Sequence, residues 1–146
     1  MANPTMSRSE REAFLAETHV GVLAVGEPGR GPLAVPVWYR YAVGDVVRIT
    51  VPAGSRKVGL LRAAGRASLC AQTETLPYQY VSVEGPIEVL EAEVESDQRE
   101  MAIRYLGQKL GERYLKATAA DRGNEVLVLL RPKRWWSVDF SRLPLG

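Results

Sequence analysis

The chain has 146 residues, 46% of them hydrophobic and 25% charged, with a formal net charge of +2. That length predicts a single domain over residues 1–146, and the composition argues against disorder or a fibrous repeat. A charge of +2 is too weak to argue for nucleic acid, and no apolar run approaches the roughly 20 residues that a membrane span needs. Met1 to Glu12 is polar, without the apolar stretch of a secretory signal, so the expected address is the cytoplasm and no membrane partner is expected. The single cysteine, Cys70, and single histidine, His19, leave no disulfide and no histidine-cysteine metal cluster to build.

Taken in chain order, Ser7 followed by Glu10 reads as a capping box, predicting a short helix over Ser9 to Glu17. Val20 to Val25 reads as a first strand. Leu33 to Tyr41 and Val46 to Val51 read as a hairpin joined through Val43-Gly44-Asp45. Alternation puts Leu33, Val35, Val37 and Tyr39 on one face, with Ala34, Pro36, Trp38 and Arg40 opposite. Val47, Ile49 and Val51 share an apolar face, leaving Arg48 and Thr50 on the other. After Pro52-Ala53-Gly54 the period changes to helical, with Ser55 as N-cap and Val58, Leu60, Leu61 and Ala64 in spacing up to Gly65.

Ala67 to Gln72 reads as a strand, then Tyr78 to Leu90 as a long one interrupted at Gly85-Pro86. Ser96 is the expected cap of a helix from Asp97 to Leu110 that turns Met101 and Tyr105 inward; its continuation to Ala120 reads as either helical or irregular. Val126 to Leu130 and Trp135 to Phe140 close the chain. Seven acids stand between Glu84 and Glu100 against Arg99 alone, which reads as a solvated strand end running into a helix. Cys70 is expected to be a small core residue and His19 to be structural or solvent-facing. Of Trp135 and Trp136, alternation sends one to the core and one outward.

These strands do not alternate with helices as βαβ units, so the expected fold is an antiparallel β-barrel with helices attached. The second face of the strands, with Trp38, Arg40, Arg48, Thr50, Tyr80 and Ser82, mixes aromatics with hydrogen-bonding groups. Such a surface suits an interface or a ligand site.

The sharpest local feature is Gly54-Ser55-Arg56-Lys57 at a strand-to-helix junction. The first amides of a helix lack internal partners, and the peptide dipoles leave partial positive charge there. An anion is stabilised at that point, with a hydroxyl from Ser55, a planar fork from Arg56 and a mobile charge from Lys57. The alternative is a plain capped helix with two exposed cations. The segment is not a P-loop, since the G-x-x-x-x-G-K-[ST] spacing is absent.

Four motifs occur in a telling order: Val35-Pro36-Val37-Trp38-Tyr39, Ser55-Arg56-Lys57 with Leu61, Arg66-Ala67-Ser68-Leu69, and Tyr80-Val81-Ser82-Val83-Glu84-Gly85. In this the chain resembles the pyridoxamine 5'-phosphate oxidase-like split β-barrel flavoproteins, in particular their flavin/deazaflavin oxidoreductases. The resemblance covers about residues 10–140. It implies a homodimer with two cofactor sites between subunits. It also implies a phosphate held by Ser55, Arg56 and Lys57, and a ring near Arg40, Thr50 and Val51. Tyr80 stands where the family has a glutamine. The vitamin B6 oxidases of this superfamily carry a C-terminal Arg-x-His motif that is missing here, so oxidation of pyridoxamine phosphate is not the expected reaction. The strand motif is more similar to members that use deazaflavin (coenzyme F-420), with FMN as the alternative. The expected function is hydride transfer between that cofactor and an electron-poor small molecule. A non-catalytic carrier of the same cofactor is the alternative, and a small barrel binding single-stranded nucleic acid is disfavoured.

Overall fold

A computed structural model describes residues 3–91 and 94–144. The first helix, α1 (Arg8–Ala16), begins where the sequence places it: the Ser7 hydroxyl accepts from the Glu10 N–H, and the Glu10 carboxylate accepts from that of Ser7. Strands β1 (Gly21–Val25) and β2 (Leu33–Val37) pair antiparallel through the turn at 26–32. Next come β3 (Arg40–Tyr41), β4 (Val47–Pro52), helix α2 (Arg56–Ala64), β5 (Arg66–Gln72) and the long β6 (Gln79–Leu90). Helices α3 (Glu95–Leu106) and α4 (Gln108–Ala117) precede the closing strands β7 (Glu125–Leu130) and β8 (Arg134–Asp139).

All pairings are antiparallel, in the order β2-β1-β5-β6-β7-β4-β3, with β8 on β6. Strand β6 belongs to both halves: residues 79–84 lie against β8, and 87–90 against β7. The result is the expected antiparallel split barrel. Its inside is filled by one alternating set of side chains, among them Leu23, Ile49, Leu69, Val81, Val83 and Leu130, each at most 1% exposed. The seam lies between β2 and β4, which share no ladder.

Gly85 does not interrupt β6, as the sequence suggests it should; it marks the corner between the halves. A Cβ there would lie 1.7 Å from the Arg131 carbonyl oxygen, so only glycine lets the β7–β8 link pass.

Other expectations change as well. The strand drawn over Leu33 to Tyr41 breaks at Trp38-Tyr39, and its two parts join different halves: β2 pairs with β1, β3 with β4. The backbone at the break is satisfied from a distance, because the Tyr105 hydroxyl accepts from the Tyr39 N–H (3.0 Å) and donates to the His19 carbonyl (2.6 Å). The third long helix starts at Glu95, so Ser96 sits exposed inside its first turn rather than capping it. It stops at Gly107, whose φ of 82° a residue with a side chain adopts reluctantly, and the chain resumes as α4. Ala64 is exposed, leaving Val58 and Leu61 as the buried face of α2. Cys70 is half-buried on the outward face, since alternation turns Leu69 and Ala71 inward. Among the described residues no helix is long and apolar enough to cross a membrane.

Candidate functional site

Helix α2 leaves β4 through Pro52-Ala53-Gly54, and Ser55 occupies the N-cap with extended backbone. Unlike Ser7, it makes no capping bond: its Oγ is buried and has no hydrogen-bond partner. The first turn of α2 also holds no acid. A buried hydroxyl without a partner is costly, and such groups in folded proteins call for an explanation such as a bound ion or water. Unsatisfied amides, the helix dipole and a spare hydroxyl therefore converge on one point that suits an anion.

Beside it lies a cavity of about 230 Å³ at the seam of the barrel. Val37 and Trp38 line it from β2 and the break, Thr50 and Val51 from β4, and Lys57 from the first turn of α2. The far wall is helical. Trp38 stacks on Tyr105 with ring centroids 5.0 Å apart and planes 5° from parallel, and Tyr114 of α4 packs against Trp38 at 5.5 Å with its ring tilted by 51°. Gln98, Met101, Arg122 and Glu125 also reach the cavity. They are knitted together: the Gln98 amide donates to Glu125 and to the Arg122 carbonyl (3.2 Å), while the Arg122 guanidinium donates to Gln98 Oε1 (3.1 Å). With Arg122 so engaged, Lys57 is the cation of the cavity wall that remains for a ligand.

Of the residues singled out in the sequence, Thr50, Val51 and Lys57 thus line one cavity; Ser55 does not line it but caps the helix whose first turn carries Lys57. Arg56 is half-exposed and paired with Glu27. Arg40 reaches Asp97 (3.0 Å) and Glu100 instead of the cavity. Tyr80 stands on the outward face of the other half, between Gln72 and Val138. Asp97 departs from the expectation of a solvated acidic stretch; Glu93 of that stretch lies outside the described residues. Asp97 is 3% exposed and holds Arg48 through two bonds (2.7 and 3.1 Å) as well as Arg40. The Arg48 hydrogen bonds, against the opposing effect of burial and with help from Arg40, hold its carboxyl below the usual carboxylate range. This pair, buried at the Asp97 end, fastens α3 to β4.

Tyr105 and Tyr114, which complete the aromatic wall, were not legible as site residues. The only sequence signal was the inward position of Tyr105 on its helix. Burial pushes the phenols of Tyr39 and Tyr105 above their ordinary value, so both stay neutral hydrogen-bonding groups. The His19 ring stacks on Phe14 with centroids 4.3 Å apart. Trp135 turns inward against Tyr41, and Trp136 is 51% exposed.

Pro36, Val22, Cys70, Ser82 and Trp136 stand in register across five strands, forming one row on the outward face. Its ends are the cavity-lining Pro36 and the exposed Trp136.

Comparison with known proteins agrees with this architecture. Among solved structures, a conserved hypothetical protein from Mycobacterium tuberculosis superposes with a TM-score of 0.78 at 25% identity, over 100% of this chain and 92% of that one. An F420 reductase superposes with a TM-score of 0.70 at 22% identity, over 85% of this chain and 94% of the other. The FAD and heme binding protein of Mycobacterium smegmatis does so at 0.70 and 15%, over 94% and 73%. The last two likenesses are of fold. No curated protein matches the chain in sequence. The family described as pyridoxamine 5'-phosphate oxidase matches residues 7–139, nearly the whole barrel from the Ser7 cap to the end of β8, and the chain belongs to that family.

Proposed function

We propose that this protein binds a phosphate-bearing flavin-type cofactor at the seam of its barrel and is an oxidoreductase. Coenzyme F-420 is the favoured cofactor and FMN the alternative. The observation that carries this reading is the buried, unpartnered Ser55 hydroxyl at an acid-free helix N-terminus beside the cavity. The residues fit a phosphate: the Ser55 hydroxyl and the first amides of α2 would donate hydrogen bonds to it, and Lys57 would neutralise it. Arg56 is poised beside them, exchanging Glu27 for the phosphate.

When bound, such a cofactor supplies hydride chemistry. The protein supplies position. Thr50 and Val51 would hold the ring, and Trp38 with Tyr114 would keep water from the helical side of the cavity they line. Holding an electron-poor acceptor in contact with the ring replaces several kcal/mol, roughly, of entropic barrier. Arg40 acts from behind, by fixing Asp97 and with it α3.

The outward row ending in Trp136 is the face we assign to a second copy of the chain. A large apolar residue 51% exposed at one end, and a cavity residue at the other, suit an interface that also completes the site. Tyr80, remote from the cavity of its own chain, is then delivered to that of its partner.

Fluorescence titration with FMN and with coenzyme F-420 tests the reading, alongside light scattering for the dimer. Micromolar binding of one cofactor, lost in Ser55→Ala combined with Lys57→Ala, is expected. Turnover on enones or quinones separates an oxidoreductase from a carrier. Absence of binding by either cofactor overturns the proposal.

A further inference from the structure

A second cavity, of about 210 Å³, lies at the opposite end of the barrel. Strands β4 and β7 pair from Val47↔Leu130 to Pro52↔Glu125. Pro52 and Glu125 line the seam cavity, whereas Asp45 and Arg131, just past the other end, line this one. The ladder between them spans five steps of about 3.3 Å, roughly 17 Å.

The lining is cationic. Arg8 and Arg11 come from α1, and Arg131 and Lys133 from the β7–β8 link, against the acids Glu12 and Asp45. Both acids are already in use: Glu12 lies 3.6 Å from Arg8, and Asp45 accepts from the Val46 N–H at 2.8 Å. Among the described residues no carboxylate pairs with Arg11, Arg131 or Lys133.

Arg11 is the informative member. Its guanidinium carbon lies over the Trp135 ring, 4.8 Å from the centroid. A cation–π contact of this kind does not use up the N–H groups, which still need acceptors. Its Nε is nevertheless buried and without a hydrogen-bond partner. An orphaned guanidinium donor, in a hollow where Arg131 and Lys133 also have no carboxylate partner among the described residues, lacks an acceptor. The cluster continues beyond Lys133, which also lines a neighbouring hollow with Arg66 and Arg134.

We propose that this hollow is a second ligand site, for a compact polyvalent oxyanion of the phosphate or diphosphate class, with Arg11 as its anchor and Arg131 and Lys133 as flanking charges. The site is independent of the cofactor reading, since none of its residues lines the seam cavity.

Calorimetric titration with inorganic pyrophosphate at low salt tests it. The expected result is saturable binding that Arg11→Gln weakens at least tenfold, and that weakens further as salt screens the flanking cations. Because Arg11 packs on Trp135, a second variant guards against misfolding: Arg131→Ala with Lys133→Ala, both exposed, is expected to weaken binding about tenfold as well. Binding of FMN or coenzyme F-420 is expected to be unchanged in both variants. No binding overturns the proposal. So does pyrophosphate binding that survives both variants and disappears in Lys57→Ala, which would place the anion at the seam instead.

Discussion

Helices α1 and α2 both start from a serine N-cap followed by arginine, yet their first turns differ. At α1 the third helical residue is Glu10, whose carboxylate returns to the Ser7 N–H at 2.9 Å while the Ser7 hydroxyl takes the Glu10 N–H. At α2 the same position is Val58, 3% exposed and part of the core, so no carboxylate can come back to Ser55. Burial of one position therefore decides whether a helix start closes on itself or stays open to a ligand. Helix α3 makes the point a third way: acids stand in its first turn, and one of them, Asp97, takes two arginines.

If α2 is open for a phosphate, the largest effect belongs to Ser55→Ala with Lys57→Ala. Losing a charge-assisted hydrogen bond and a point charge lowers cofactor affinity by about 100-fold in a fluorescence titration. The thermal midpoint of the cofactor-free protein should barely move.

Next comes the acid that α3 does use. Asp97→Asn leaves two arginines short of their partner and costs about 2–3 kcal/mol in urea unfolding. That is less than for a fully buried pair, because the Arg40 and Arg48 side chains are 34% and 29% exposed. The pH dependence has a defined sign. The Asp97 carboxyl is held below its ordinary 3.8, so its contribution is complete above that value and is lost as pH falls through the folded one. Acid titration of the urea midpoint should show this loss in the parent protein and less of it in the variant.

Ser7→Ala removes a formed cap and costs about 1 kcal/mol of stability, with cofactor affinity untouched. The smallest effect sharpens the contrast most. Ser55→Ala removes a hydroxyl that bonds nothing, and the unfolding free energy should change by less than about 0.5 kcal/mol. A loss equal to that of Ser7→Ala would show α2 to be an ordinary capped helix.

How far the sequence carries the argument follows from range. The capping box, the strand faces around Thr50 and the junction at Ser55 rest on neighbours a few residues apart, and all were legible. The break at Trp38-Tyr39 was not, because the hydroxyl that satisfies it arrives from Tyr105 on another helix. Asp97 was read as solvated for the same reason: Arg40 and Arg48 are remote in sequence and adjacent only after β3 and β4 pair. The aromatic wall of the cavity needs α3 and α4 folded back over the seam, which no local spacing announces.

Gly85 carries one more consequence. The carbonyl of Arg131 occupies the volume that any other amino acid would fill at position 85, so the crossing of these two segments is specified by a missing atom. Alanine there would have to push the 131–133 connection outward, and with it the route by which the last strand returns to β6. The path of the final third of the barrel is thus written into a single hydrogen.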